Sequence, residues 1–348
     1  MPQDLVAVIP IPALLVEPDG RIAVANPGAR ALFGDVIKGR HYITVLRQPT
    51  LLDAVERAIT ERTTTKAKYL TTEARRDLTL QATCASLSEG RVFICFEDKT
   101  AMEEAFQMRR DFVANVSHEL RTPLTALMGF IETLGGAARD DSAARARFLG
   151  IMQKEASRMN RLVGDLLSLS RVEAEERMRP TDMVDIVSVV RLVAHTLGEM
   201  ATHEGIELVC DLPEGEVLLP GDGDQLSQVV TNLVENAIKY SPDGSEVRVS
   251  IAPAPNHPVI RQDAVVLMVE DQGEGIDSIH IPRLTERFYR IDAHRSREMG
   301  GTGLGLAIVK HIVNRHRGRL RIESEREKGS KFSVILPHRI SEPRALQS

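Results

Sequence analysis

Hydrophobic and polar positions change period twice along this chain. Up to about residue 97, short apolar runs alternate with turn signals. ALLVEPDGRIAVANPGARALFG, Ala13 to Gly34, reads as a strand, a Pro-Asp-Gly turn, a second strand and a short helix. LTLQATCASL and RVFICFED then read as two more antiparallel strands, so the first third is a small α+β domain. From Thr100 to about Arg177 the period is helical. At about 100° per residue, Val113, Val116, Leu120, Leu124, Leu127, Ile131 and Leu134 gather on one side. Gly135-Gly136 breaks the run, and a second arm carries Phe148, Met152, Met159, Leu162, Leu166 and Leu169 near a heptad seam. Two such arms make a hairpin. A lone hairpin leaves its stripe wet, so pairing into a four-helix bundle, and hence a homodimer, is expected.

Beyond Pro180 the pattern changes again. Strand-like runs at Ile206–Cys210, Val247–Ile251, Ala264–Val269, Leu320–Ser324 and Phe332–Leu336 interleave with helical segments near Val184–Met200, Asp224–Tyr240 and Leu304–His316. A mixed sheet with helices on one face is the simplest packing of those elements. The expected layout is therefore a domain over residues 1–98, a hairpin over 99–178, a third domain over 179–340 and a tail over 341–348.

Composition narrows the classes. A chain of 348 residues that is 43% hydrophobic and 27% charged is globular. A net charge of -5 without a long Lys/Arg block argues against direct nucleic-acid binding. Cys84, Cys95 and Cys210 lack metal-ligand spacing and read as reduced thiols, which suits a cytoplasmic setting. The most apolar segment, Leu5 to Val16, is too short to span a bilayer and is broken by Pro10 and Pro12. The chain is expected to carry no transmembrane segment. Membrane association would need one upstream of this sequence.

Five clusters carry chemistry. In FVANVSHELRTPLTALMGF, His118 points away from the apolar stripe, Thr122 shares its face, and Glu119 sits about a quarter turn round. Pro123 should loosen or bend the next turn. In QVVTNLVENAIKY, Asn232, Asn236, Lys239 and Tyr240 fall on one helical face. Asparagine disfavours helix interiors, so the pair calls for a reason; an amide oxygen can complete a Mg²⁺ shell while Lys239 pairs with phosphate. In VEDQGEGID, Asp271 ends a strand ahead of Gly273 and Gly275, where a carboxylate can accept from an exocyclic amine and a planar base can approach the backbone. GGTGLGLAIVKHIV places Gly301, Thr302, Gly303, Leu304 and Gly305 at a helix start, where amides and the dipole favour phosphate. Between the last two lies an arginine-rich run around Phe288 and Tyr289, suited to a lid, with Arg287 or Arg290 available to phosphate. His311 and His316 read as ordinary surface positions. His41, His195, His203, His257, His280, His294 and His338 sit in no recognisable site.

In order, SHELRTPL, NLVENAIKY, DQGEGID, ERFYRID and GGTGLGLAIVKHIV resemble the H, N, first glycine, F and second glycine boxes of sensor histidine kinases, over roughly Phe112 to Pro337. Pro12 through Gly34 resembles the opening of a PAS sensor domain. The run from Leu284 to Leu320, with FVANVSHELRTPLTAL, is particularly similar to phosphate-regulon sensor kinases of the PhoR type. The resemblance implies a multidomain α+β protein: a PAS-like domain, a dimerising phosphoacceptor hairpin, and an ATP-binding α/β sandwich of the GHKL kind shared with heat-shock chaperones, gyrase and MutL. It implies an ATP-dependent protein-histidine kinase in which His118 is phosphorylated, Glu119 takes its proton, Mg²⁺ sits at Asn236 and Asp271 selects adenine. An aspartate on the receiver domain of a response regulator would then take the phosphoryl group, and Glu119-x-x-Thr122 resembles a phosphatase motif. A GHKL-type ATPase would share the nucleotide boxes without needing the exposed His-Glu pair, and an idle scaffold would usually have lost a nucleotide-contacting residue.

Overall fold

The computed structural model describes residues 2–73, 76–136, 138–139, 141–292 and 301–338. Its internal packing divides the chain into two compact units, Met1–Ala114 and Asn115–Ser348.

The first unit is a five-stranded antiparallel sheet. Its strands are β1 (Ala13–Val16), β2 (Ile22–Ala25), β3 (Thr65–Glu73), β4 (Arg76–Ser86) and β5 (Val92–Asp98), in the order β2-β1-β5-β4-β3. Helices α1 (Pro2–Val8), α2 (Pro27–Phe33), α3 (Tyr42–Leu46) and α4 (Pro49–Thr60) accompany it. All of β1 is buried because both of its faces are covered. Leu14 and Val16 join the main core with Ile22, Leu51, Val55, Ile94 and Phe96, whereas Ala13 and Leu15 pack with Val6 of α1. Period-2 alternation therefore serves two cores at once. Asn26 anchors the entry to this sheet. Its Oδ1 accepts from the Ala13 and Ala29 amides and its Nδ2 donates to the Ile9 and Ile11 carbonyls, at 2.7–3.0 Å. Burial pushes the Cys84 thiol up to about 12, and all three cysteines are free.

Two long helices follow, α5 (Thr100–Gly135) and α6 (Ser142–Glu175). The α6 start is capped by Asp141, whose Oδ1 accepts from the Ala143 and Ala144 amides. Pro123 is buried and α5 continues as one helix through it, so the expected weak turn does not end the element. Val113, Leu124, Ile131, Leu149 and Leu167 remain exposed along the hairpin.

The remaining strands are β6 (Met183–Asp185), β7 (Glu207–Asp211), β8 (Leu218–Pro220), β9 (Glu246–His257), β10 (Gln262–Asp271), β11 (Arg319–Glu325) and β12 (Gly329–Pro337). Five of them form a mixed sheet ordered β11-β12-β10-β9-β7, antiparallel throughout except for the parallel β7–β9 pair. Helices α7 (Ile186–His203), α8 (Gly223–Tyr240) and α9 (Gly305–Arg315) pack against it. The α8 stripe Val229, Val230, Leu233, Val234, Ala237 and Ile238 and the α9 stripe Ile308, Val309, Ile312 and Val313 are all but fully buried. Each such valine, leucine or isoleucine contributes about 1.5–3 kcal/mol by leaving water. The short β6–β8 pair was not legible as strands, being three residues a side.

Candidate functional site

A cavity of about 630 Å³ opens between α6 and the sheet-backed lobe. Pockets of this size hold small-molecule ligands. On the lobe side it is lined by Asn232, Glu235, Asn236, Lys239 and Tyr240 of α8, by Asp271 and the loop through Gly273 and Gly275, by Arg290, and by Gly301, Thr302, Gly303 and Gly305 ahead of α9. On the hairpin side it is lined by Arg161 and Asp165 of α6.

Helical spacing explains the α8 wall. Its apolar stripe holds the sheet, which leaves Asn232, Asn236 and Lys239 turned to the cavity, with Lys239 paired to Glu235 at 2.8 Å. Asp222 caps the start of α8 by accepting from the Gln225 amide at 3.1 Å. At the end of β10, Oδ1 of Asp271 accepts from the Gly273 and Ser330 amides, 2.9 and 3.1 Å away. That fixes the carboxylate and turns Oδ2 into the oxygen that can accept from a ligand. Burial raises the pKa of Asp271, against which those two amides work.

The glycines are required by the protein's own backbone. A Cβ on Gly273 would lie 2.5 Å from the Tyr240 carbonyl oxygen, and one on Gly275, at φ 67°, would lie 2.0 Å from that of Glu325. The close approach anticipated for a ligand is thus made first by neighbouring chain. Gly305 comes against Asn232, whose Oδ1 would stand 2.8 Å from an added Cβ. No side chain caps the start of α9, so its first amides and its dipole face the cavity mouth. Leu304, by contrast, is wholly buried and does not line the cavity.

On the hairpin, His118 is exposed and Glu119 is largely enclosed. Arg158 Nη2 donates to Glu119 Oε2 at 2.8 Å, and Arg290 donates through both Nη atoms to both carboxylate oxygens at 3.2 Å. Thr122 Oγ1 donates to the His118 carbonyl at 3.2 Å. Arg287 reaches Glu173 at 2.5 Å and lies outside the cavity lining. Both arginines therefore meet hairpin carboxylates here, Arg290 while also lining the cavity.

Several participants escaped the sequence. Thr302 Oγ1 donates to Asp165 Oδ2 at 2.6 Å, and burial raises the Asp165 pKa. Asp165 falls three residues after Leu162 on the α6 seam, and a carboxylate on an apolar stripe is the signal that could have found it. His316 is a correction: it is 1% exposed rather than at the surface. Its Nδ1 donates to the Ile312 carbonyl at 2.8 Å and its Nε2 accepts from the Asp222 amide at 3.0 Å. Beside it, Arg315 reaches Asp222 at 3.1 Å, Glu175 at 3.0 Å and the Met178 carbonyl at 3.1 Å. His311 is half-buried and meets Glu176 at 3.0 Å, a second departure from a free surface position. His294 lies outside the described residues.

The donor set suits a magnesium nucleotide. Among the described residues no group of three His, Cys, Asp or Glu could hold a metal ion alone. Asn236 offers an amide oxygen of the kind Mg²⁺ accepts alongside water and phosphate oxygens, and Lys239 supplies charge beside it. No helix among the described residues is long and apolar enough to cross a membrane.

Two families match the chain. The His Kinase A (phospho-acceptor) domain matches residues 108–175, and the histidine kinase-, DNA gyrase B-, and HSP90-like ATPase family matches residues 221–340. The phosphate regulon sensor protein PhoR of Pseudomonas aeruginosa is 40% identical over 70% of this chain and 54% of its own length. The sensor histidine kinase WalK of Bacillus subtilis is 38% identical over 72% of this chain and 40% of its own. The chain thus spans about half the length of these relatives. The crystal structure of the histidine kinase ThkA in complex with the response regulator TrrA shares the fold over 97% of this chain, with a TM-score of 0.53 at 20% identity. With a phospho-acceptor hairpin joined to this ATPase fold and relatives of one kind, the chain belongs to the sensor histidine kinases.

Proposed function

We propose that the chain transfers the γ-phosphoryl group of ATP to His118 and passes it to an aspartate on the receiver domain of a response regulator. What carries the reading is a juxtaposition: the cavity suited to a magnesium nucleotide is bordered by Arg290, which touches Glu119, the neighbour of the exposed His118.

Asp271 Oδ2 would accept the exocyclic amine of adenine, and Tyr240 would border the base. Lys239, Arg290 and the amides from Gly301 to Gly305 would hold the phosphates, with Asn236 as the protein's ligand to Mg²⁺. When bound, Mg²⁺ neutralises charge on the transferring group. A ring nitrogen of His118 forms the new N–P bond, the bond from the γ-phosphorus to its bridging oxygen breaks toward ADP, and Glu119 takes the ring proton. Imidazoles titrate near about pH 6.5 as a class, which makes histidine a nucleophile available at neutral pH. Glu119 can take the ring proton only after Arg290 lets go of it, because both of its oxygens are engaged by that guanidinium.

The finer assignments are proposals of the same kind. The sheet order of the first unit and its interleaved helices support a PAS-like domain over 1–98. The exposed apolar positions on α5 and α6 support a homodimer joined through a four-helix bundle. Phosphate-regulon signalling is supported by the likeness to PhoR, although WalK stands at nearly the same identity under a different name. A need for ATP and a receiver domain supports a cytoplasmic setting for the catalytic part, tethered to a membrane if a longer protein supplies the anchor.

The test is transfer of labelled γ-phosphate from Mg-ATP to the purified chain. Acid-labile, alkali-stable label should appear and vanish in His118→Ala. Thr122→Ala should keep that label and lose dephosphorylation of the regulator. Label that survives His118→Ala, or none despite measured ATP binding, sinks the proposal in favour of a GHKL-type ATPase or a scaffold.

A further inference from the structure

The cavity is not walled by the lobe alone. Arg161 and Asp165, from α6 of the same chain, close one side of it. Four polar contacts run along that seam. Arg290 holds Glu119 through two hydrogen bonds of 3.2 Å, Thr302 donates to Asp165 at 2.6 Å, Arg287 meets Glu173 at 2.5 Å, and Ser168 Oγ donates to Gln228 at 2.8 Å. The Arg290 side chain is 5% exposed and that of Glu119 15%, so the pair is enclosed; Glu119 would keep Arg158, but a lobe leaving this hairpin would strand the Arg290 guanidinium unless another anion replaced the carboxylate.

This bears on a choice that a dimer leaves open: whether ATP held by one protomer serves its own histidine or its partner's. Arg290, Thr302 and Gly303 line the proposed nucleotide site. Thr302 also borders the small recess formed by Glu119, Pro123, Arg158, Met159 and Leu162 of the same chain. His118 precedes Glu119 on α5, only about 1.5 Å away along the helix axis. For a partner's histidine to be served, this lobe would have to release these contacts, together with those of Arg315 and His311 to the end of α6, and reach the hairpin of the other chain.

We infer that phosphorylation is intramolecular: each lobe delivers the γ-phosphoryl group to His118 of its own chain. This rests on the kinase reading above and adds which chain accepts. The atoms balance as before, with the N–P bond formed on the same polypeptide that holds the nucleotide, ADP departing, and the ring proton taken by that chain's Glu119.

Mixed dimers of the full chain, purified through two different tags, decide it. In the first, a wild-type protomer is paired with a His118→Ala, Asp271→Asn double variant. In the second, His118→Ala is paired with Asp271→Asn. Intramolecular transfer predicts that the first pair labels at about half the wild-type dimer's total and the second stays at background. The reverse, label in the second pair and none in the first, overturns the inference. So does label in neither pair while wild-type dimer labels, because an intact chain would then be failing to serve itself. Failure of the wild-type dimer to label at all strikes the underlying kinase reading instead, which keeps the two apart.

Discussion

Two buried arginines join the hairpin to the lobe, and they are built differently. Arg290 meets one carboxylate, Glu119, which already has a second cation in Arg158. Arg315, about 25 Å further along the hairpin at the rise of an α-helix, divides its guanidinium among Glu175, Asp222 and the Met178 carbonyl. The first contact can be exchanged at little loss to its partner. The second ties together the end of α6, the cap of α8 and the end of α9, and no proposed step asks it to open. The difference separates a joint meant to move from one meant to hold.

The sharpest way to break that contrast is Arg315→Ala. Removing it leaves Asp222 and Glu175 without their shared cation. Pairs broken in full burial lose about 3–5 kcal/mol, but both carboxylates here are 34% exposed, so a loss of about 2–3 kcal/mol is expected, read as a lower denaturation midpoint. A loss below about 0.5 kcal/mol would show that the joint is not structural. Arg290→Ala should cost less, about 1 kcal/mol or under, because Glu119 keeps Arg158. Its expected signature is a slower rate of histidine labelling, and a stability loss equal to that of Arg315→Ala would erase the distinction.

The smallest effect concerns His316, inside the fixed joint. Burial lowers its pKa, with Arg315 and Arg179 acting in the same direction and the Ile312 carbonyl and Asp222 opposing. The folded state therefore resists a proton that the unfolded chain takes up. Stability should be at its full value above about pH 6.5, the usual histidine value, and fall as the medium becomes more acidic, until the folded pKa is reached. His316→Gln should flatten that slope in denaturant titrations between about pH 5 and 7. An unchanged slope would assign the acid sensitivity elsewhere.

The joint that holds was the harder of the two to read from sequence. Arg315 and His316 follow Ile312 by three and four residues, so both continue the buried stripe of α9. A polar residue at a helix end is ordinarily solvated, and nothing local indicates that a distant backbone amide and two carboxylates will enclose it. The cavity-facing side was legible because its features are local: asparagines on one helical face, glycines at a helix start, an acid at a strand end. For the same reason β3 was missed. TKAKYLTTE alternates correctly, but its lysines and threonines hide the period that Tyr69 and Thr65 obey once β4 lies beside them. The opposed arginines of the lid were recognised as anion-seeking residues, yet which anion they meet depends on tertiary placement.

Gly305 and Asn232 offer a last consequence, one for how such sequences can change. An added Cβ at position 305 would stand within 2.8 Å of the Asn232 amide oxygen, although the two residues lie in motifs far apart in the chain. Neither position can drift alone. A larger residue at 305 becomes tolerable only with a smaller one at 232, and an alanine there is expected to require a serine or glycine opposite it. In a library randomised at both positions and selected for nucleotide binding, the surviving pairs should trade size one for one, leaving a statistical trace of a contact that neither motif reveals by itself.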